Sequence, residues 1–372
     1  MIRVLEVVGR MDRAGQETFL MNIFRKADKR KYEISFAVNT NYIGAYESEI
    51  ETLGGKIYHN PYPASLPHLL RYLDSFRKVL RDEGPFDVIH CHVWLFGGFI
   101  LWAARKEGVP IRIMHSHNTS DGYKRTLARR LYRKIAFNLI KKNATKFVAC
   151  GKDAYKALFH EECPDSNHIL NNAVDPHLFD EKQFDCGLIK RALHIRDDRI
   201  VIISVARFSD VKNHDKMISV FETFLKQYGN SAELLLVGSG ELEERIQNLV
   251  ISKKVNDNVH FLGVRSDINR LLAISDVFLM PSKFEGLPVS LIEAQASGCR
   301  CVISDVITNE VDMQIGLLTR LPLGIEDSIW ARECYDAARK TPPPFAVRNA
   351  SIEKYGYTIN AVWRKLDELY AQ

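Results

Sequence analysis

No apolar run of about 18 residues occurs in this 372-residue chain, so no membrane-crossing helix is expected. Cysteine is sparse: seven residues, odd in number and scattered, with no CxxC pair. Cys299 and Cys301 stand too close for an ordinary bridge. That excludes a disulfide framework and predicts reduced thiols, as in the cytosol. The dinucleotide fingerprint GxGxxG is missing. Gly9 and Gly15 are too far apart, and VGSGELEER offers Gly238 and Gly240 without the third glycine. With no ribose-binding acid following, a dinucleotide-dependent oxidoreductase is disfavoured. The start, MIRVLEVVGRMDR, lacks a signal peptide's long apolar core and small-residue cleavage site, and reads as a first strand. A cytoplasmic protein is expected. No low-complexity tract and no short internal repeat is found.

What is present suits two packed domains: 372 residues, 46% of them hydrophobic. The net charge of +5 is uneven, because residues 1–172 hold 27 Lys and Arg against 18 Asp and Glu. One segment, 123–146, has nine basic residues and no acid. In it Leu127, Leu131, Ile135, Phe137 and Leu139 recur at near-helical spacing. Two readings stand together: an amphipathic helix packed on a sheet, and a basic face resting on anionic lipid or a polyanionic acceptor. Aromatic residues form no stacking platform, and no nucleic-acid partner is expected.

Short β-rich runs alternate with helical stretches. The strands read IRVLEVVG, EISFAVNT, KIYHNP, FDVIHCHV, IRIMHSHN and TKFVACG, then RIVIISVARF, AELLLVGSG, NVHFLGV, VFLMPS and CRCVISD. Helices between strands imply parallel sheets wound on both faces. Two such series predict an α/β chain of two doubly wound, Rossmann-like domains, 1–173 and 174–356, facing each other across a cleft. The last helix, within about 357–372, can pack on either, the first being its expected host. Open α/β sheets bind ligands at the carboxyl ends of their strands, so the residues just after strands are the candidates.

Five stretches sit there. GRMDRAGQE places Gly15 at a turn into a helix, a backbone seat for phosphate. IHCHVW and MHSHNTS supply His90, His92, His115, His117 and Asn118, and strand alternation puts each histidine pair on one face. Metal ligation, backbone hydrogen bonding and substrate contact are all open to them. Metal is disfavoured because no carboxylate or cysteine cluster completes the set. SVARFSDVKNH puts Arg207 and Lys212 on a strand-to-helix loop, where two converging cations suit a diphosphate. FEGLPVSLIEAQASG places Glu285 at a strand end and Glu293 in the following helix. Free N–H groups at the helix start near Pro288 favour an anion, and carboxylates suit vicinal diols.

These motifs together resemble the retaining glycosyltransferases of the GT-B fold, family 4. EGLPVSLIE is similar to their E-x7-E motif, and VARFSDVKNH, LLLVGSGELEE, VHFLGV, AGQE, DVIHCHVW, VACG and NNAVDPHLF follow in order. HSHNTS and ISDVITNEVD resemble the EpsF-type subgroup of bacterial capsule and exopolysaccharide clusters. The resemblance implies that Arg207 and Lys212 clamp the donor diphosphate, and that Glu285 holds the donor sugar with backbone N–H groups of Gly286 and Leu287. Glu293 would hold the ribose, Val264 would lie near the base, and Gly15 would approach the diphosphate. His115 matches the residue beside the anomeric carbon, with His90, His92, His117 and Asn118 as support or acceptor contacts. The implied reaction moves a hexose or N-acetylhexosamine from a nucleotide diphosphate sugar, with UDP favoured, to a glycan hydroxyl, with retention. No cofactor and no metal is implied. A lipid-linked acceptor and peripheral attachment to the inner membrane face through 123–146 are expected. Two departures stand out: Ala14 replaces a usual glycine, and ISDVITNEVDMQIG lacks the commoner proline pattern. The rivals are a nucleotide-sugar epimerase and a non-catalytic partner of another transferase.

Overall fold

A computed structural model describes residues 1–118 and 126–371 of the protein. The chain forms two compact units, Met1–Ala173 with Ile359–Gln372, and Val174–Thr358. Val174 and Thr358, the two ends of the second unit, pair as a parallel bridge.

The first unit holds β1 (Ile2–Val8), β2 (Tyr32–Val38), β3 (Lys56–His59), β4 (Val88–Cys91), β5 (Ile111–Ser116) and β6 (Lys146–Ala149). They lie in the order β3-β2-β1-β4-β5-β6, all parallel. Period-two alternation builds a core on each face. Leu5 and Val7 enter one core, and Val4 and Val8 the other. The second face is covered by the first helix (Gly15–Lys26) and the last (Ile359–Tyr370), through Phe19, Ile23, Val362 and Leu366. Trp363 fastens the last helix by donating its indole N–H to the Ile23 carbonyl at 3.1 Å.

The second unit repeats the plan with β7 (Ile200–Val205), β8 (Ala232–Val237), β9 (Val259–Phe261), β10 (Val277–Met280), β11 (Arg300–Ser304) and β12 (Leu318–Leu321). Their order is β12-β11-β10-β7-β8-β9, again parallel. Strand β12 is absent from the sequence reading, because LTRL is short, carries Arg320 and lies at the sheet edge, where burial is partial. In both units the chain starts centrally, winds outward one way, then returns to wind the other. The reversal lies between β1 and β4 in the first unit and between β7 and β10 in the second. Such switch points are where doubly wound sheets bind ligands.

Candidate functional site

At the switch point of the first unit, Glu6 of β1 stands level with His90 of β4. Alternation sends Glu6 to the face of Val4 and Val8, and His90 to the face of Val88. His92 follows β4, His115 lies in β5 and His117 follows it. The four imidazoles pack together, with ring centroids of His115 and His117 at 4.0 Å and of His90 and His92 at 4.3 Å. His90 Nε2 meets His115 Nδ1 at 3.1 Å, and His92 Nδ1 meets His117 Nε2 at 2.8 Å. Glu6 Oε2 lies 2.7 Å from His92 Nε2, and Tyr370 donates to Glu6 Oε1 at 3.0 Å. The Tyr370 oxygen is also 2.8 Å from His90 Nδ1.

Burial raises the Glu6 carboxyl, but charge and hydrogen bonds from His90 and His92 outweigh it and hold it well below the usual range. Burial and His90 lower His92 to about 4, against the pull of Glu6. His115 and His117 are held well below the ordinary imidazole range by burial and by their neighbours. Among the described residues, His115 Nε2 and His117 Nδ1 have no hydrogen-bond partner.

A carboxylate does stand beside the histidines, with Glu6 Oε2 2.7 Å from His92 Nε2 and 3.4 Å from His90 Nδ1. His90, His92 and His115 each offer a ligand atom within 4.8 Å of one another. Yet both ring nitrogens of His90 and of His92 already meet protein partners, so a cation there would displace those hydrogen bonds. Glu6 could have been suspected from the sequence, because a charge inside an apolar strand demands a buried partner. Tyr370, 364 positions away, could not. Gly15 opens the first helix after Ala14, which supplies no side-chain cap. Asn118 is exposed.

In the second unit the candidates follow β7 and β10. After β7 the chain passes through a short turn, Asp210–Lys212, and Asn213 takes a left-handed conformation (φ 56°) before the helix His214–Tyr228. The glycines of VGSG serve packing here. A Cβ on Gly238 would meet the Ala206 carbonyl oxygen at 2.2 Å, and one on Gly240 the Phe208 oxygen at 2.4 Å. Phe208 N–H donates to the Ser239 carbonyl at 3.1 Å, so this loop supports the Arg207 loop.

Lys212 Nζ donates to both oxygens of Glu285, at 2.6 and 2.7 Å, with the Glu285 side chain 9% exposed. Arg207 does not join them. Its side chain is 72% exposed and pairs with Glu241 at 3.1 Å. The two cations expected to converge thus go to different carboxylates. Beyond Glu285, no described residue comes within 4 Å of where a Cβ on Gly286 would stand. Leu287 and Pro288 are buried, and Pro288 precedes the helix Val289–Ser297 without a side-chain cap. Glu293 is half-buried in that helix, and burial pushes its carboxyl up to about 7. Val264 is 55% exposed, just after Gly263.

The basic helix runs Leu127–Asn143, and residues 123–125 of the segment lie outside the described residues. Packing of its leucines on a sheet is not what forms. Leu127, Leu131 and Ile135 are 81%, 60% and 45% exposed. Ala136 and Ile140 are buried instead, against the helix Gly97–Lys106. Gly98 permits that approach, since a Cβ there would meet the Ala136 carbonyl oxygen at 2.5 Å. Among the described residues no helix is long and apolar enough to cross a membrane.

Comparison with known proteins adds to this geometry. The model of the glycosyl transferases group 1 matches residues 187–313, and that of a glycosyl transferase 4-like domain matches residues 14–160. Over 357 residues the chain is 39% identical to EpsF of Bacillus subtilis (strain 168), a protein assigned as a glycosyltransferase. That match covers 95% of this chain and 92% of EpsF. The capsular polysaccharide biosynthesis glycosyltransferase CapH of Staphylococcus aureus is 24% identical over 381 residues, covering 100% of this chain and 99% of CapH. The crystal structure of Anabaena Alr3699/HepE, in complex with UDP and glucose, matches with a TM-score of 0.77 at 18% identity, covering 100% of both chains. That likeness shows the shared GT-B fold.

Proposed function

Because this chain belongs to the glycosyl transferases of group 1, we propose that it moves a hexosyl or N-acetylhexosaminyl unit from a UDP-sugar to a hydroxyl of a lipid-linked glycan, with retention, in exopolysaccharide or capsule assembly. The observation that carries this reading is the bidentate contact of Lys212 with Glu285 at the switch point of the second unit. A sugar nucleotide joins an anionic diphosphate to a neutral polyol. The diphosphate takes Lys212, and Glu285, released from it, takes sugar hydroxyls. The open space at Gly286 leaves room for the sugar. The uncapped helix start after Pro288 offers free N–H groups to the phosphates. Glu293, which only burial acts upon, accepts hydrogen bonds from the ribose diol, and Val264 borders the base.

Charge grows on the leaving diphosphate in the transition state, and the acceptor's proton passes to it. Lys212, the helix start and the exposed Arg207 stabilise that charge. The positive charge the step requires thus comes from the protein, and no metal is invoked. UDP is favoured by the HepE complex, capsule assembly by the name of CapH, and retention by the resemblance of EGLPVSLIE to the motif of retaining enzymes. The lipid-linked acceptor is supported by the outward stripe Leu127, Leu131 and Ile135, set among arginines and lysines, which suits an anionic bilayer surface.

A thermal-shift screen of UDP-, GDP- and ADP-sugars, with nucleotide release followed in the same wells, tests the donor half. A UDP-specific shift with slow release is expected. A shift without turnover would favour a non-catalytic binding partner, and no shift from any sugar nucleotide would sink the proposal. Binding to anionic vesicles that weakens with salt tests the membrane half. Absence of binding at low salt would remove it.

A further inference from the structure

The histidine cluster has a polarity that its contacts determine. Tyr370 donates to Glu6 Oε1 at 3.0 Å, so its oxygen is left to accept from His90 Nδ1 at 2.8 Å. The other carboxylate oxygen, Oε2, accepts from His92 Nε2 at 2.7 Å. A neutral imidazole has one N–H and one lone pair. His92 Nδ1 is therefore an acceptor, and His117 Nε2 must donate to it across 2.8 Å. His117 Nδ1 then keeps a lone pair, and this is one of the cluster's two nitrogens without a partner among the described residues. With a single proton on His90, its Nε2 accepts from His115 Nδ1, and His115 Nε2 keeps the other lone pair. The two arms end differently. Glu6, His90, His92 and His115 are 5% exposed or less, whereas His117 is partly exposed. The arm through His92 thus runs from a buried carboxylate to a partly exposed imidazole whose Nδ1 is covered, and the arm through His90 ends at the buried His115.

We infer that Glu6, acting through His92, is a positioning residue that holds His117 as a hydrogen-bond acceptor for a saccharide hydroxyl. The carboxylate lies two side chains from the sugar and never touches it. Its work is to fix which nitrogen of His117 carries the proton. This shifts the contact expected of His115 to His117. It rests on the transferase reading for the identity of the ligand, but not for the relay itself. Neutral imidazoles are consistent with His92, His115 and His117 all being held below the ordinary range. His117 Nδ1 is covered in the free protein, so the hydroxyl contact forms as the saccharide binds.

The test is long-range proton–nitrogen NMR of the full chain with 15N-labelled histidine near pH 7.5. His92 and His117 should carry the proton on Nε2, and His90 and His115 on Nδ1. His117 protonated on Nδ1, or on both nitrogens, would overturn the relay. So would a stoichiometric metal in the purified protein, because it would occupy the lone pairs. Glu6→Gln sharpens the test. An amide has one acceptor and one donor end, so it can satisfy one arm only, and the other must reverse. Spectra with neither arm reversed would overturn the relay. Should Glu6→Gln not fold, Tyr370→Phe keeps the carboxylate and His92, and the His117 tautomer must stay as in the wild type. Where the His117 arm reverses, kcat should fall about a hundredfold while donor KM changes less than about threefold. An unchanged kcat there would remove the role in the reaction. Expected tautomers in a protein that turns over no sugar nucleotide would leave the relay standing and defeat the transferase reading.

Discussion

The two switch points share one topology but put their polar residues at different depths. In the first unit Glu6, His90 and His115 lie within strands, so they are buried and must satisfy one another. In the second, Arg207, Lys212 and Glu285 lie beyond the strand ends, where Arg207 reaches solvent and Lys212 and Glu285 stand paired as opposite charges. The difference teaches that strand position decides chemistry. In the middle of a sheet, low dielectric favours neutral imidazoles around one carboxylate. On a loop, full charges persist and can change partner when a ligand arrives. The first site should therefore respond to pH and to tautomer, the second to loss of charge.

Four results would break or sharpen that contrast. The largest concerns the loop site: Lys212→Ala should lower kcat/KM by about two orders of magnitude or more, about 2.7–4 kcal/mol. Steady-state nucleotide release with full activity would end its assigned role. Next is the buried site under acid. His92, His115 and His117 have folded pKa values below their unfolded ones. The unfolded chain therefore binds more protons, and stability falls as pH drops below about 6.5. Urea midpoints should show a loss of about 2 kcal/mol or more by pH 5.5. Below about 4.5, Glu6, whose folded pKa is depressed, adds to the loss. A flat profile between pH 7.5 and 5.5 would mean the imidazoles are not held neutral.

Glu293 carries the opposite sign. Its folded pKa of about 7 exceeds the unfolded value of 4.5, so its ionisation costs stability as pH rises between them. Glu293→Gln should gain about 1–2 kcal/mol over the wild type at pH 8 and nothing near pH 4.5, allowing for partial exposure. Equal melting temperatures at both pH values would contradict the burial argument. Smallest is the stripe on the basic helix. Changing Leu127, Leu131 and Ile135 together to Ser should move stability by about 0.5 kcal/mol or less per site, because all three are exposed. Ile140→Ala, on the buried side of the same helix, should cost about 2–4 kcal/mol. Comparable losses from both would mean that the stripe is covered after all.

Much of this was legible in the sequence. The alternation of strands and helices read correctly as two parallel α/β sheets, because both periodicities are local. The rule that ligands gather after strands singles out the Lys212 and Glu285 stretches, and the fold brings those two side chains together. The short edge strand at Leu318–Leu321 was not, since a half-exposed strand carrying arginine shows little alternation. Nor was the choice of partners for Arg207, which depends on where the Glu241 loop folds back.

Residue order alone determined the α/β class, the position of the charged loops and the helical spacing of the apolar residues in 127–143. Tertiary structure decided which neighbour each face meets. It paired Glu6 with His92 through the register of two strands that the sequence sets 80 residues apart, and with Tyr370 through the return of the last helix. It also turned Leu127, Leu131 and Ile135 outward, because Gly98 lets Ala136 and Ile140 take the inner side. Periodicity specifies that a face exists, but what covers it depends on contacts between segments distant along the chain.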